Sequence, residues 1–190
     1  MEIAGLVLAA GGGRRYGMPK ALIRYPSKLL VEHAADTLRE AGLTQILVVL
    51  GAGADRVRAE APDLPPTVIN PEWATGLGSS LRTGLDALTG STADAAVVLL
   101  VDMPGVTPFA VRRIAAQATR DALAMGGYGD RRGHPVLLGR DHWTGVAETA
   151  TGDRGARDYL RAHAGLVRVV QVGDVADDRD IDVPGSNPYA

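Results

Sequence analysis

A glycine-rich stretch near the start of the chain combines small residues with two cations. Gly11, Gly12 and Gly13 follow an apolar run, and Arg15 and Lys20 come after them. Because glycine has no Cβ atom, its backbone can adopt unusual dihedral angles and let a ligand approach closely. Successive N–H groups in such a turn can also bind an anion. Together with the two cations, this pattern predicts a loop that binds a polyphosphate.

The same loop meets neither of two common phosphate-binding motifs. A P-loop ends in Gly-Lys-Ser or Gly-Lys-Thr, whereas Lys20 lies between Pro19 and Ala21. The dinucleotide fingerprint needs three spaced glycines leading into a helix, but Tyr16 breaks the spacing and Pro19 opposes a helix through the loop. An ordinary tight turn is the alternative interpretation of such a glycine cluster. Arg15 and Lys20 favour phosphate binding over that alternative.

One carboxylate follows the most apolar run in the chain. Asp102 comes directly after residues 95–101 and precedes Met103-Pro104. Packing does not explain a carboxylate at the tip of a buried strand, and Thr107 is better placed to cap the next helix. Mg²⁺ prefers oxygen ligands and usually takes one or two carboxylates together with substrate phosphates. We therefore expect Asp102 to bind Mg²⁺.

A polar segment before a predicted helix is a further candidate for ligand contact. Asn70 and Gly76 lie in this segment, and Ser80 lies where the helix over 79–88 begins. Backbone N–H groups and hydroxyls at the start of a helix suit an anion or the edge of a base. The alternative is a capping motif on which Trp73 packs as a lid.

Apolar and amphipathic segments alternate along the first two thirds of the chain. Strands are predicted at 6–10, 45–50, 67–69 and 95–101, and helices at 29–41, 55–61, 79–88 and 107–122. This alternation predicts a parallel sheet with right-handed crossovers, and ligands bind such sheets beyond the carboxyl ends of the strands. The glycine-rich loop and Asp102 are therefore expected at one edge of the sheet. The last third is less regular: we expect strands at 123–125, 136–138 and 167–172, and short helices from 141 or 142 and over 155–162.

Composition limits the classes of function that are open to the chain. Its 190 residues are predicted to form one domain over 1–190, with 46% hydrophobic and 22% charged residues. The net charge of -2 gives no basic field for nucleic acid, and no apolar run is long enough for a membrane span. The absence of cysteine excludes disulfides, a thiolate nucleophile and a zinc–thiolate site. We expect a cytoplasmic protein that is a monomer or a weak dimer.

Several of these residues together resemble a known signature loop. Leu8-Ala9-Ala10-Gly11, followed by Arg15, Gly17, Pro19 and Lys20, resembles that of the sugar-nucleotide-type nucleotidyltransferases. The likeness is greatest to the MobA-like branch, especially the molybdenum cofactor cytidylyltransferases. The resemblance implies a three-layer αβα fold of the α/β class, with a mostly parallel, Rossmann-like sheet.

The resemblance also implies a second metal carboxylate near the end of the chain. By itself Asp182 is a turn residue, but the segment 180–184 is similar to the family segment that supplies this ligand. Val183 replaces the usual threonine, and Asp180 could serve in place of Asp182. The family motif thus implies that Asp102 and Asp182 hold Mg²⁺.

The family resemblance assigns roles to residues in three groups. Arg15, Lys20 and Asp102 are implied to be catalytic. The implied nucleotide-binding residues are Leu8, Ala9, Ala10, Gly11, Gly12, Gly13, Asn70, Gly76 and Ser80. Gly133, His134 and Pro135 look like the cofactor-side motif and are implied to bind the acceptor, and 152–157 belongs to the same acceptor half. On residue type alone, a lone histidine is more often structural than catalytic.

The implied activity is Mg²⁺-dependent transfer of a nucleoside monophosphate onto a small phosphorylated acceptor, with release of pyrophosphate. The Leu-Ala-Ala-Gly form resembles members that use pyrimidines, so CTP is favoured over GTP. Molybdopterin is the leading acceptor, and sugar phosphates and phospholactate-type acids are the alternatives. The opposing class is an NAD(P)H-dependent oxidoreductase of the nicotine blue oxidoreductase type, in which the loop would bind a dinucleotide. A third interpretation is a nucleotide-binding paralogue without turnover.

Overall fold

Strands and helices alternate through residues 1–182, the part of the chain that this computed structural model describes. The strands are β1 (Ile3–Ala9), β2 (Arg24–Tyr25), β3 (Lys28–Leu29), β4 (Gln45–Leu50), β5 (Thr67–Ile69), β6 (Ala95–Leu100), β7 (Leu123–Tyr128), β8 (Arg131–Gly139) and β9 (Val167–Gln171). The α-helices are α1 (Leu30–Glu40), α2 (Ala54–Glu60), α3 (Leu77–Leu88), α4 (Pro108–Ala115), α5 (Trp143–Thr149) and α6 (Arg157–Ala162). Short 3₁₀ turns lie at Lys20–Leu22, Trp73–Thr75, Arg140–His142 and Gly152–Arg154.

Seven of the strands form one mixed sheet in the order β5-β4-β1-β6-β8-β7-β9. β1 pairs in parallel with β4 and β6, and β4 pairs in parallel with β5. β8 runs antiparallel to both β6 and β7, whereas β9 is parallel to β7. The predicted α/β class and mostly parallel, Rossmann-like sheet are confirmed.

The sheet is buried on both faces, which explains the continuous apolar runs in the sequence. Successive side chains of a strand point to opposite faces, and in β1 Val7 and Ala9 join one hydrophobic cluster while Leu6 and Leu8 join another. Helices α1 and α4 contribute apolar residues to the first cluster, and α3 and α5 to the second. The result is the expected three-layer arrangement.

The register of the two central strands places the candidate site at one edge of the sheet. Leu8, near the end of β1, is the register partner of Leu100 at the end of β6. The glycine-rich loop and Asp102 therefore leave the sheet side by side, as the sequence predicts.

Two predicted element boundaries in the second half of the chain are wrong. Helix α4 ends at Ala115 rather than near residue 122. The residues that follow form turns, in which the Thr119 hydroxyl donates a hydrogen bond to Asp121 at 2.6 Å. Such local side-chain hydrogen bonds compete with helix formation. The predicted strands at 123–125 and 136–138 are too short, because β7 and β8 continue pairing to a tight turn at Gly129, where φ is 65°.

Some expectations reach beyond the residues that the structure describes. Val183 and Pro184, which belong to the proposed second metal motif, lie outside the described residues, so the single domain over 1–190 stays a prediction. Within 1–182, no helix has the length and apolar character required to cross a bilayer.

Truncating a side chain in the centre of β8 tests this core. Leu137 is fully buried, so Leu137→Ala should lower the free energy of unfolding by about 2–5 kcal/mol through lost burial and a cavity. Urea denaturation with an unchanged m-value measures the effect. Leu166, which is 59% exposed, supplies the control, and Leu166→Ala should cost no more than about 0.5 kcal/mol. Equal losses in the two variants would contradict the assigned packing.

Candidate active site

The glycine-rich loop after β1 is a tight turn that closes on its own backbone. The carbonyl of Gly13 accepts hydrogen bonds from the amides of Tyr16 and Gly17, at 2.9 and 2.8 Å. Gly13 has a φ of 60°, and a Cβ atom there would lie 1.9 Å from the carbonyl oxygen of Met18. The turn therefore requires glycine at position 13, and it leads into the 3₁₀ turn that begins at Lys20.

Lys20 connects this loop to two distant carboxylates. Its ammonium group donates to Asp102 Oδ2 and to Asp182 Oδ1, each at 2.6 Å. The side chains of Lys20 and Asp102 are only 17% and 18% exposed, so solvent screens their interaction weakly. Arg15 is 78% exposed, and its guanidinium lies 3.6 Å from Asp182 Oδ2.

A buried isoleucine brings the end of the described chain to this position. Ile181 is fully buried, and its amide donates to the carbonyl of Asp102 at 2.9 Å. This anchor places its two neighbours, Asp180 and Asp182, beside Asp102. The two aspartates that the family resemblance implied as metal ligands are therefore close together.

Electrostatic effects in the cluster differ from one group to the next. Burial acts to lower the pKa of Lys20, but Asp102 and Asp182 together raise this pKa above its ordinary value. The hydrogen bond from Lys20 lowers the pKa of Asp182. Burial raises the pKa of Asp180, and the negative charges of Asp182 and Asp102 raise it further. The pKa values of Lys20 and Asp182 are thus shifted in the directions that favour their charged forms.

The three aspartates fit a hard divalent cation. Asp102, Asp180 and Asp182 each offer a carboxylate oxygen, and these atoms lie within 4.8 Å of one another. An all-oxygen donor set matches the preference of Mg²⁺ and chemically similar cations. The sequence left the choice between Asp180 and Asp182 open, and the structure places both beside Asp102.

A cavity of about 570 Å³, which we call the loop cavity, opens over this cluster. Most of the residues that the sequence singled out for the nucleotide or the metal line it: Leu8, Ala10, Gly11, Gly12, Gly13, Arg15, Lys20, Gly76, Ser80, Asp102 and Asp182. Ala9 is buried within β1 and does not line the cavity. The cavity is large enough for a small-molecule ligand.

Arg14 and Trp73 also line the loop cavity, although the sequence assigned neither of them to a ligand. Asp153, which the family resemblance placed in the acceptor half, lines this cavity as well. Trp73 lies against the loop, since a Cβ atom on Gly12 would be 2.9 Å from its ring. From the sequence, Trp73 was expected only to pack as a lid. Arg14 belongs to no motif, whereas its neighbour Arg15 matches the signature loop.

Asn70 lies behind the loop cavity rather than in its wall. It is 1% exposed, and its amide nitrogen donates to the hydroxyls of Ser79 and Ser80 at 2.8 and 3.0 Å. Its carbonyl oxygen accepts from the amide of Glu72 at 2.9 Å. Asn70 therefore holds the segment that presents Ser80, and its direct contact with a nucleotide stays a prediction.

A second cavity of about 580 Å³, the histidine cavity, adjoins the first. Gly133 and His134 line it, whereas Pro135 is buried within β8. The structure of residues 1–182 gives the His134 ring no hydrogen-bond partner. Burial lowers the pKa of His134 to about 4, although Asp102 acts in the opposite direction. The imidazole is therefore neutral at pH 7, when it can donate one hydrogen bond and accept another.

The doubly covered sheet, the glycine turn and the acidic cluster at the strand ends define an α/β nucleotidyltransferase fold. Residues 5–167 match the MobA-like NTP transferase domain, and the chain belongs to this family. The family and the fold are those of nucleotidyltransferases.

Individual relatives cover nearly the whole chain. Nicotine blue oxidoreductase from Paenarthrobacter nicotinovorans is 37% identical over 190 residues, which cover 95% of this chain and 92% of that protein. The crystal structure of Rv0371c from Mycobacterium tuberculosis superposes with a TM-score of 0.81 at 33% identity, covering 95% of this chain and 93% of the other. Rv0371c has also been solved in complex with manganese. A nucleotidyl transferase from Methanothermobacter shares the fold, with a TM-score of 0.83 at 22% identity over 96% and 92% of the two chains.

The requirement for glycine in the turn can be tested by amide exchange. Gly13→Ala should disrupt the bonds from Tyr16 and Gly17, because the added methyl group clashes with the Met18 carbonyl. Hydrogen-exchange mass spectrometry should show exchange about tenfold faster in this loop, which corresponds to about 1.4 kcal/mol. Gly11→Ala is the control, since a Cβ there meets no atom within 4 Å. Unchanged protection in Gly13→Ala would show that the turn tolerates a side chain.

Proposed function

We propose that this protein is a Mg²⁺-dependent nucleotidyltransferase that moves CMP from CTP onto a phosphorylated acceptor such as molybdopterin and releases pyrophosphate. The observation that carries the proposal is the loop cavity itself. There the glycine turn and Lys20 face the three clustered aspartates Asp102, Asp180 and Asp182. A triphosphate needs backbone donors, fixed cations and a site for its metal, and this cavity combines all three.

The chain's own residues would act by binding and orienting the triphosphate. Backbone N–H groups of the glycine turn, together with Arg15 and Lys20, would bind its phosphate oxygens. In this proposal Lys20 exchanges its carboxylate partners for the triphosphate, while Asp102, Asp180 and Asp182 hold the metal. Bound Mg²⁺ supplies positive charge that offsets the charge on the phosphates.

The reaction needs no covalent intermediate on the protein. An oxygen of the acceptor phosphate would attack the α-phosphorus in line, forming the new P–O bond as the bond to pyrophosphate breaks. Positioning and charge neutralisation supply most of the acceleration in such phosphoryl-type transfers. The histidine cavity, which adjoins the loop cavity and is lined by Gly133 and neutral His134, is the proposed acceptor site.

A second candidate is an NAD(P)H-dependent oxidoreductase. It is favoured by one observation, the 37% identity over nearly the full chain to a protein named nicotine blue oxidoreductase. Apolar residues such as Val98, Met125 and Leu138 line the histidine cavity and would suit a flat aromatic substrate. Hydride transfer, however, gives no role to the three clustered aspartates, so we rank this function second.

A ligand-binding experiment separates the two candidates. CTP with Mg²⁺ should raise the melting temperature of the purified protein. At a ligand concentration a hundredfold above Kd, the expected stabilisation is about 2.7 kcal/mol. Asp102→Asn should lose the Mg²⁺-dependent part of this shift, while Asp141→Asn, an exposed surface change, keeps it. Pyrophosphate release with candidate acceptors gives the matching activity readout. Stabilisation by NADPH without Mg²⁺, and none by CTP, would contradict the nucleotidyltransferase and favour the oxidoreductase instead.

Base selection provides a separate prediction. Ala10 lines the loop cavity, whereas Ala9 next to it does not. Ala10→Gly enlarges the site and should lower the preference for CTP over GTP by roughly tenfold, as expected for one methyl-sized change in a pocket. Calorimetric Kd values for the two nucleotides measure the ratio. If Ala9→Gly changed the ratio equally, the effect would not arise from the cavity wall.

A further inference from the structure

The histidine cavity contains positive charge that the protein does not balance. Arg132, Arg157 and Arg161 line it, and the contacts within residues 1–182 give none of these guanidinium groups a hydrogen-bond or ion-pair partner. A fourth arginine in the wall, Arg154, is different, because it pairs with Asp158 at 2.9 Å.

The acidic groups in the same wall do not compensate for these arginines. Asp178 is paired with Arg131 at 2.8 Å. Asp153 and Asp180 lie at the border where the histidine cavity meets the loop cavity, and they line both. The acids thus face the proposed metal end, while the free arginines line only the histidine cavity.

Unpartnered arginines are concentrated at the two cavities. Other arginines in the described chain donate to oxygen atoms of the protein, as Arg113 does to Asp174 and Arg140 to backbone carbonyls. Within residues 1–182, those without such a partner are Arg14, Arg24, Arg132, Arg157 and Arg161. Arg24 is the member of this set that lines neither cavity. Free guanidinium groups grouped around a cavity are suited to binding a phosphate or carboxylate.

These arginines are separate from the groups that serve the reacting phosphates. Arg132, Arg157 and Arg161 do not line the loop cavity, which contains Lys20 and Arg15 instead. An apolar wall with Val98, Leu100, Met125, Val136 and Leu138 forms the body of the histidine cavity. A ligand that fills this cavity therefore meets acids at one border, an apolar surface along its length and unpaired arginines elsewhere.

We infer that the acceptor carries a second acidic group in addition to the phosphate that reacts. Its apolar body packs on the wall of the histidine cavity, and the second acidic group binds Arg157 and Arg161. These two arginines are four residues apart on α6 and therefore share one face of the helix. The inference rests on the proposed function, since it concerns the acceptor of that reaction, and it makes Arg157 and Arg161 specificity-determining residues.

Two fluorescent probes that differ only in charge test this inference. The first, 8-anilinonaphthalene-1-sulfonate, has an aromatic body with an acidic group, and N-phenyl-1-naphthylamine is its uncharged parent. Each is titrated into the protein with and without saturating CTP and Mg²⁺, which occupy the loop cavity. Arg157→Gln/Arg161→Gln should weaken binding of the sulfonate roughly tenfold or more and leave binding of the uncharged probe unchanged.

The control removes the same charge from outside both cavities. Arg24→Gln/Arg168→Gln should leave both probes unaffected, because neither residue lines a cavity. The inference would be overturned if the two double variants weakened sulfonate binding equally. It would also be overturned if Arg157→Gln/Arg161→Gln weakened the binding of both probes equally. Failure of CTP and Mg²⁺ to stabilise the wild-type protein, in a thermal scan of the same samples, contradicts the proposed function instead.

Discussion

The ammonium group of Lys20, held between Asp102 and Asp182, is the contact on which the site depends. These residues come from the beginning, the middle and the end of the described chain, and the two bonds of 2.6 Å bring them to one point. With little solvent around Lys20 and Asp102, an isolated charge there would be costly. The two aspartates stabilise the charged form of Lys20, and Lys20 stabilises the charged form of Asp182. Together with Asp180, these two carboxylates form a group of three acidic side chains, within residues 1–182, whose oxygens lie close enough to hold a metal ion.

The pairing of the strands already brings the glycine turn and Asp102 to one edge of the sheet, before any side-chain contact forms. Because β1 and β6 are parallel neighbours with Leu8 opposite Leu100, whatever follows each strand must emerge at the same edge. The apolar character of both strands was visible in the sequence, and so was the pairing of a glycine turn with Asp102. This part of the site follows from strand order and from the preference of parallel sheets for ligands at their carboxyl ends.

Other features could not be derived from local pattern. The end of α4 and the length of the β7–β8 hairpin depend on turn contacts and on cross-strand pairing, which outweigh residue propensity. Asn70 resembled a ligand-binding residue, but its burial and its bonds to two serines emerge only in the folded chain. Likewise, Asp180 and Asp182 could not be distinguished by sequence, because the anchor that places both is the burial of Ile181 between them.

Because Ile181 lies near the end of the described residues, the acidic cluster is completed late in the synthesis of this part of the chain. A ribosome-bound chain that has not yet reached Ile181 already includes the whole sheet, the glycine turn, Lys20 and Asp102. It lacks Asp182 and also the Ile181 anchor that holds Asp180 beside Asp102, so two of the three clustered carboxylates are not yet in position. The three acidic side chains are therefore brought together only in a chain that has been translated past Asp182.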